Sequence, residues 1–355
     1  MRKSGAAVLK RSAFVFGAAL ALASAKTADA TGGLDVWDPE LPTPQPIPIL
    51  PGNVDLPLRV LITSEPVAPR RTDGRTFELA GKRYRGRPEV VALPDGRSGI
   101  VSTLSVDEYL YGVVPLEVAP GWPAAVLAAQ AIVARTYAVA RRSVGRPYDI
   151  VATSAGQAYG DCSVETPATN AAVDATSGRI IAYGGAAASV FYMACCGGHT
   201  EDAAEVWGRN PLPYLRGVSD PWCAGTPDYR WRSTIAVHDF VAALGADAAA
   251  IGSLRGVTIA EVDPSGRAKR LLVRGSARTV EVGLAEVRRA LGSRRLPSTL
   301  LRGIVLDGES LIVEGAGRGH GVGLCQWGAH TMALQGYDPA AIVAFYFPGV
   351  AVVRD

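Results

Sequence analysis

A glutamate in apolar surroundings is the first residue of this sequence whose position suggests chemistry. Glu117 lies within Gly112-Val113-Val114-Pro115-Leu116-Glu117-Val118-Ala119-Pro120-Gly121-Trp122-Pro123. Burial disfavours the ionised form of a carboxyl group, which raises its pKa towards that of a general acid. The positive N-terminus of a following helix would lower the pKa instead. Glu117 is therefore a candidate acid catalyst, and a salt-bridged or helix-capping glutamate is the alternative.

A glycine-rich stretch far downstream is the second candidate, Gly317-Arg318-Gly319-His320-Gly321-Val322-Gly323-Leu324-Cys325-Gln326-Trp327-Gly328. It matches neither the dinucleotide fingerprint, whose sixth position must be glycine, nor the Gly-Lys-Ser/Thr of a nucleotide-triphosphate loop. Its glycines permit close backbone approach, and its polar and stacking side chains suit a sugar or another polar polymer. These candidate binding residues are Arg318, His320, Gln326 and Trp327. We expect this stretch to face Glu117 across one cleft, with a tight loop and a hydrogen-bonded histidine as the alternative.

The cysteines leave two interpretations open. Cys196-x-x-His199 has metal-ligand spacing, Cys223 is a candidate third ligand, and Cys162 or Cys195 is a candidate fourth. The alternative is a structural Cys196–Cys223 disulfide, in which case the odd number of cysteines leaves at least one unpaired within the monomer. The sequence has no His-Glu-x-x-His motif, which argues against a zincin protease. A cysteine hydrolase that uses Cys325 with His320 is a further reading.

The N-terminus predicts export. Basic residues precede the apolar run 13–25, and Ala28-Asp29-Ala30 is a small-residue cleavage motif, so 1–30 is predicted to be a signal peptide. The apolar run is short for a membrane span, and no later segment is long and apolar enough. Without 1–30 the chain has 31 basic and 32 acidic residues, and so lacks the basic excess that nucleic-acid binding needs.

The elements that must position these residues indicate an α+β fold. Its expected parts are an antiparallel β-rich core, an alanine-rich central helix and a small inserted α/β module. The helix is predicted from Pro123 to about Arg142, and Pro115 and Pro120 are expected to hold Glu117 out of helix. The predicted boundaries are a proline-rich linker at 31–57, a core at 58–231 and 301–355, and the module at 232–300.

Several motifs together resemble the SpoIID/LytB family, the stage II sporulation protein D and amidase-enhancer proteins. The resemblance spans roughly residues 58–350. The matching segments are Tyr109 to Val118, Trp122-Pro123, Ala128 to Ala138, Gln157-Ala158-Tyr159-Gly160, Thr176-Ser177-Gly178, Cys196-Gly197-Gly198-His199-Thr200, Val206-Trp207, Pro213-Tyr214-Leu215, Gly317 to Ala329 and Phe345 to Gly349.

The resemblance implies peptidoglycan glycan strands as substrate and lytic transglycosylase chemistry, with the family's essential glutamate at Glu117. One carboxyl group is enough, because the muramic acid C6 hydroxyl attacks C1 and no water is activated. No cofactor is required for such a reaction. The candidates to support the developing positive charge are Arg135, Gln157, Tyr159, His320 and Gln326.

The resemblance has one departure and leaves a second function open. Some relatives bind zinc through a set that includes a histidine at the position of Met193, so here Cys196 and His199 are what remain of the local motif, and zinc stays an alternative to the disulfide. The other function is a non-catalytic, glycan-binding protein that stimulates a cell-wall amidase. A typical sporulation member carries a membrane anchor, whereas this chain is predicted to be cleaved and released to the periplasm or envelope, and a sporulation role does not follow.

Overall fold

The computed structural model describes residues 56–65, 67–143, 145–153, 156–208 and 211–354. The predicted signal peptide, and the linker as far as residue 55, lie outside the described residues. Within the described ranges, no helix has the length and apolar character needed to cross a membrane. The mixture of helices and mainly antiparallel sheets confirms the predicted α+β class.

The first part of the chain forms two small sheets. Short apolar runs bounded by turn residues predicted antiparallel strands between residues 58 and 105, and the structure confirms them. One sheet has the order β5-β6-β1-β7 and the other β2-β3-β4. The strands are β1 Leu58–Thr63, β2 Arg70–Arg71, β3 Thr76–Leu79, β4 Lys82–Arg85, β5 Arg87–Ala92, β6 Ser98–Leu104 and β7 Ile150–Val151.

Helix α1, Val106–Glu117, ends on the candidate acid. Ser105 begins it with a capping box, because its side chain accepts from the Glu108 backbone N–H and the Glu108 carboxylate accepts from the Ser105 backbone. The expectation that the prolines hold Glu117 out of helix is wrong, because α1 continues through Pro115. A proline this near the end of a helix interrupts few backbone hydrogen bonds, and the Val118 N–H still closes the last turn on Val114.

The alanine-rich helix α2 spans Ala124–Val139, close to its predicted bounds, and every residue from Val126 onward is buried. Its small side chains allow α1, α3 (Pro167–Ala175), α8 (Gln326–Leu334) and α9 (Pro339–Tyr346) to contact it from several sides. This helix therefore forms the centre of the main hydrophobic core.

Two distant parts of the chain meet in a short parallel ladder. Strand β10, Tyr192–Met193, pairs with β17, Leu324–Cys325, so the cysteine loop after β10 lies against the glycine-rich stretch before β17. The other elements of this half are α4 Ala203–Trp207, a 3₁₀ turn at Pro213–Leu215, and the sheet of β8 Arg179–Tyr183, β9 Ala186–Ala187 and β18 Ala351–Arg354. Neither α3 nor β18 is among the predicted elements, although Thr166 caps α3 and Pro167 is its first residue.

The module has a hydrophobic core of its own, which runs from Ile235 to Val313 and so extends past residue 300. Its sheets have the orders β12-β13-β14 and β11-β16-β15. The elements are β11 Arg230–Ala236, α5 Val237–Ala242, a 3₁₀ turn at Gly245–Asp247, α6 Ala248–Ile251, β12 Leu254–Val262, β13 Ala268–Gly275, β14 Thr279–Gly283, α7 Leu284–Leu291, β15 Leu301–Asp307 and β16 Ser310–Ala316.

A buried arginine joins the module to the rest of the fold. Arg267 follows the β12–β13 turn and is 3% exposed. Its guanidinium donates to the carbonyls of Cys196 (2.7 Å) and His199 (3.1 Å) and lies 3.7 Å from the Glu201 carboxylate. The Glu201 N–H in turn donates to the Gly321 carbonyl at 2.8 Å. Arg267 of the module thus binds the cysteine loop, and the backbone of that loop in turn binds the glycine-rich stretch.

Candidate functional site

Glu117 is half-buried at the C-terminal end of α1. Its carboxyl group accepts hydrogen bonds from the Tyr192 hydroxyl and the Ala158 backbone N–H. Burial raises the pKa of Glu117 to about 7, and the two hydrogen bonds oppose that rise only in part. The negative end of the α1 dipole disfavours charge as well. Burial therefore prevails over the effects that lower the pKa, and the group is suited to exchange a proton near neutral pH.

Tyr192 is the nearest polar partner of Glu117, and its hydroxyl is itself held in place. Gln157 Nε2 donates to that hydroxyl at 3.1 Å and also lies 3.4 Å from the Ala134 carbonyl. The hydroxyl accepts from Gln157 and donates to Glu117, so its proton is directed at the carboxylate. Gln157 is 2% exposed. It acts on Glu117 through Tyr192.

His320 connects the glycine-rich stretch to the same tyrosine. Its Nε2 lies 3.0 Å from the Tyr192 carbonyl, and its Nδ1 accepts from the Val322 N–H at 3.1 Å. Because Nδ1 accepts, Nε2 carries the proton and donates to Tyr192. Glycine is needed at 323, where φ is +79° and a Cβ would lie 2.2 Å from the Phe191 carbonyl oxygen. The stretch that contains Glu117 and the glycine-rich stretch thus both contact Tyr192.

Two further predicted residues lie on an aromatic surface. The Trp327 indole N–H donates to Asp228 at 3.0 Å, and Arg318 donates to the other oxygen of that carboxylate at 2.7 Å. The ring of Trp327 lies 4.8 Å from that of Trp122 and 5.5 Å from that of His330. These rings are partly exposed and suit stacking on a sugar.

The remaining predicted binding residues are engaged in packing. Arg135 has no exposed surface, and it donates to Asp107 at 2.8 Å and to backbone carbonyls around α3. These contacts engage the guanidinium inside the core, which argues against the substrate-binding role predicted for Arg135. Tyr159 packs its ring 5.0 Å from that of Tyr109. Gln326 is 6% exposed and bonds to Gln130 at 3.4 Å.

Sequence reasoning missed Tyr192, Trp122 and Asp228 as site residues. Nothing in the sequence around Tyr192 points to a carboxylate 75 positions earlier in the chain. Trp122 lies five residues after Glu117 and directly before Pro123, and this closeness to Glu117 in the sequence was its one signal as a site residue.

The cysteines form a buried cluster different from the predicted one. The ligand atoms of Cys196, Asp220, Cys223 and Cys325 all lie within 4.8 Å of one another. Cys196 Sγ is 3.0 Å from Asp220 Oδ2 and 3.5 Å from Cys223 Sγ, which is longer than the roughly 2.05 Å of a disulfide bond. His199 lies outside the cluster, because its Nδ1 faces the Thr200 carbonyl at 2.6 Å.

This donor set fits zinc, since three thiolate ligands and a carboxylate oxygen are a combination that zinc accepts. The cluster joins the cysteine loop, the segment before Tyr229 and the first turn of α8. Cys325 has no exposed surface and burial raises the pKa of its thiol well above the ordinary value. These properties do not fit the nucleophile of a cysteine hydrolase.

Comparison with known proteins identifies two matching family models and several relatives. A family model described as stage II sporulation protein matches residues 95–183, and a model of a domain of unknown function matches 222–323. An uncharacterised protein of Brachyspira hyodysenteriae is 31% identical over 78% of this chain and 74% of its own length. Stage II sporulation protein D of Bacillus amyloliquefaciens is 28% identical over 71% and 75%.

The chain belongs to the SpoIID/LytB family. The amidase enhancer of Bacillus subtilis is a further relative, 28% identical over 68% of this chain, although the match spans only 40% of the enhancer's length. The role that this membership supports is related to the cell wall.

The raised pKa of Glu117 predicts a pH-dependent gain in stability when the group is replaced by an amide. Between the ordinary pKa of 4.5 and about 7, the folded chain binds more protons than the unfolded chain, so the free energy of unfolding falls as pH rises. Glu117→Gln removes this loss. We expect it to be stabilised relative to wild type by up to about 3 kcal/mol at about pH 8, and by less than about 1 kcal/mol at about pH 5.

Thermal or denaturant unfolding at the two pH values measures this difference. Glu89→Gln, which removes one exposed glutamate from β5, is the matched control. A stability difference for Glu117→Gln that is the same at both pH values would show that the carboxyl group is not desolvated.

Proposed function

We propose that this chain is an exported lytic transglycosylase that cleaves peptidoglycan glycan strands with Glu117 as both acid and base. The observation that carries the proposal is the desolvated Glu117 carboxyl group, whose pKa of about 7 lets it hold a proton and then give it up. Membership of a cell-wall-related family supports the substrate class. The predicted signal peptide supports export.

The reaction needs one proton carrier, and Glu117 suits that need. Protonated Glu117 gives its proton to the glycosidic oxygen as the bond from C1 to that oxygen breaks. The resulting carboxylate then accepts the proton of the C6 hydroxyl as O6 bonds to C1, which restores the acid and leaves a 1,6-anhydro end. The pKa of Glu117 is set by burial and by two hydrogen bonds, so the proposed cycle uses this one carboxyl group.

Tyr192 has a defined task in this cycle. Its hydroxyl donates to the carboxylate that exists between the two proton transfers, and the Ala158 N–H does the same. Gln157 keeps the hydroxyl oriented, since its amide occupies the accepting side. The aromatic surface of Trp122, Trp327 and His330 suits stacking on sugar rings of the strand.

Replacing Glu117 should abolish this activity without abolishing binding. We expect Glu117→Gln to release anhydro-muropeptides from sacculi or peptide-free strands about 10²–10⁴-fold more slowly than wild type, because general acid and base catalysis is lost. Mass spectrometry of the soluble products measures the rate, and Glu89→Gln is the control. Equal background release of anhydro-muropeptides by wild type and Glu117→Gln, with both proteins still bound to strands, would contradict the proposed enzyme activity.

That contradicting outcome would favour the second candidate, a glycan-binding enhancer of a cell-wall amidase. The specific observation behind it is the relative named amidase enhancer. Under this function the chain releases no anhydro product of its own, and it raises amide cleavage when a cell-wall amidase is added. The enhancement would then be equal for wild type and Glu117→Gln.

We infer that the buried cluster of Cys196, Asp220, Cys223 and Cys325 holds a structural zinc ion. When bound, zinc would supply cross-linking of the segments that carry these ligands, since a set of four protein ligands leaves no open position for catalysis. The support is the closeness and burial of the four ligand atoms. The cluster lies beside the β10–β17 ladder, so it would also steady the strand that carries Tyr192.

Metal analysis distinguishes a zinc site from a disulfide between Cys196 and Cys223. We expect about one zinc per chain after purification under reducing conditions, with loss of zinc and a lower melting temperature in Cys325→Ser. Cys162→Ser is the matched control, because Cys162 lies outside the cluster. A metal-free wild-type protein whose intact mass shows a disulfide between Cys196 and Cys223 would contradict the zinc site.

A further inference from the structure

A second group of aromatic rings lies beside Tyr192. The ring of Trp207 is centred 4.3 Å from that of Phe191 and 5.6 Å from that of His320. The rings of Phe191 and His320 lie 6.1 Å apart, so the three form one group. Each of the three residues is partly exposed. These three rings are called the Trp207 surface below.

The Trp207 surface is attached to Tyr192 at two points. Phe191 is the residue before Tyr192, and its carbonyl accepts from the Leu324 N–H at 3.0 Å beside the β10–β17 ladder. His320 donates to the Tyr192 carbonyl through Nε2 at 3.0 Å. A ligand on this surface therefore lies next to the residue that donates to Glu117.

The surface that contains Trp327 contacts the same chain segment beyond Tyr192. The Trp327 backbone N–H donates at 3.0 Å to the carbonyl of Ala194, two residues after Tyr192. Phe191 and Ala194 are three residues apart, which is about 10 Å along an extended chain. The two aromatic surfaces therefore contact this segment on the two sides of Tyr192.

The position of Trp207 depends on the short helix α4, which it ends. The N-cap Asp202 accepts from the Ala204 N–H at 2.8 Å, and the Asp202 N–H donates to Glu201 at 2.7 Å. Glu201 is 2% exposed, and Ser265 of the module donates to its carboxylate at 2.6 Å. The first turn of α4 is thus bound to the module. A ring that is held in place loses little conformational freedom when a ligand stacks on it.

The chemistry of the Trp207 surface suits a sugar. The Arg141 guanidinium lies 3.2 Å from the centre of the Tyr137 ring and 5.6 Å from that of Phe191, so charged N–H groups border the rings. Aromatic rings stack on the apolar faces of sugar rings, and N–H groups donate to hydroxyl oxygens. A saccharide offers both an apolar face and hydroxyl groups, whereas a purely apolar ligand offers the first alone.

We propose that the Trp207 surface is a second saccharide-binding site, which holds a sugar of the same strand across Tyr192 from the Trp327 surface. The proposal rests on the glycan-strand substrate proposed above and adds a subsite to it. A strand that contacts both surfaces is held on each side of the bond on which Glu117 acts. The Trp207 surface contributes to strand binding and takes no part in proton transfer.

Binding of the full chain to peptide-free strands tests the subsite separately from cleavage. Glu117→Gln is the background, so that the strands stay intact. Trp207→Leu removes the ring and keeps an apolar side chain, whereas Trp207→Phe keeps an aromatic ring. Tyr183→Ala is the matched control, because Tyr183 is 41% exposed and lies on β8, outside the surface. Calorimetric titration measures the dissociation constant, and the melting temperature shows that each variant is folded.

We expect Trp207→Leu to bind the strands about tenfold more weakly than the control, because a stacking contact is lost. Trp207→Phe should recover most of the affinity. A folded Trp207→Leu variant that binds as tightly as the control would overturn the proposal. So would equal losses in Trp207→Leu and Trp207→Phe, since the aromatic ring would then not be what holds the sugar. If Trp207→Leu does not fold, Trp207→Met takes its place with the same expectations.

A further change at Trp122 tests whether one strand contacts both surfaces. Adding Trp122→Ala to Trp207→Leu should multiply the two losses of affinity, because separate contacts with one strand add in free energy. A double variant that binds no more weakly than the weaker of the two single variants would overturn the proposal, since the two surfaces would then not hold the same strand.

These outcomes do not depend on whether the chain cleaves strands. If wild type releases no anhydro product but Trp207→Leu still loses strand affinity, the subsite stands and the proposed enzyme does not. If Glu117→Gln abolishes cleavage while Trp207→Leu binds normally, the enzyme stands and the subsite does not.

Discussion

The hydrogen bond from the Tyr192 hydroxyl to the half-buried Glu117 carboxyl group sets the protonation of the candidate acid. Burial alone would keep Glu117 protonated, and a group that never ionises cannot act as a base. The two donors, Tyr192 and the Ala158 N–H, lower the cost of the charged form, and the balance leaves the pKa at about 7. A carboxyl group so balanced can give and accept one proton within a single reaction cycle.

Much of the surrounding structure serves to keep that tyrosine in place. His320 holds the Tyr192 backbone, Gln157 holds its hydroxyl, and strand β17 pairs with the strand that carries it. Arg267 of the module binds the cysteine loop beside this ladder. The contacts that position Tyr192 therefore come from segments far apart in the sequence.

Local sequence patterns predicted the helices and strands better than they predicted the contacts between them. Helical spacing and flanking prolines placed α2 within a few residues, and the strands before residue 105 followed from apolar runs and turn residues. The end of α1 was not predictable from Pro115 alone, because the cost of a proline depends on how many turns follow it. Glu117 was identifiable because charge among apolar residues is rare, whereas Tyr192 became a site residue only through a fold that pairs β10 with β17.

The cysteine cluster and Arg135 also have partners that local sequence patterns do not predict. Cys196 and Cys223 were identified from spacing, but Asp220 and Cys325 join them only because α8 begins beside the cysteine loop. Arg135 carried the charge expected of a ligand-binding residue, yet an arginine within a fully buried helix must find its partners inside the core. Charge in a sequence indicates a need for partners and does not indicate where they lie.

In the proposed reaction, the anhydro ring closes with no water as a reactant. Digestion of peptide-free strands in water enriched in the heavy oxygen isotope, followed by mass spectrometry of the new ends, tests this reaction directly. We expect 1,6-anhydro ends that carry no heavy oxygen and that are missing from the Glu117→Gln digest. Reducing ends with heavy oxygen at C1, or anhydro ends formed equally by Glu117→Gln, would contradict it.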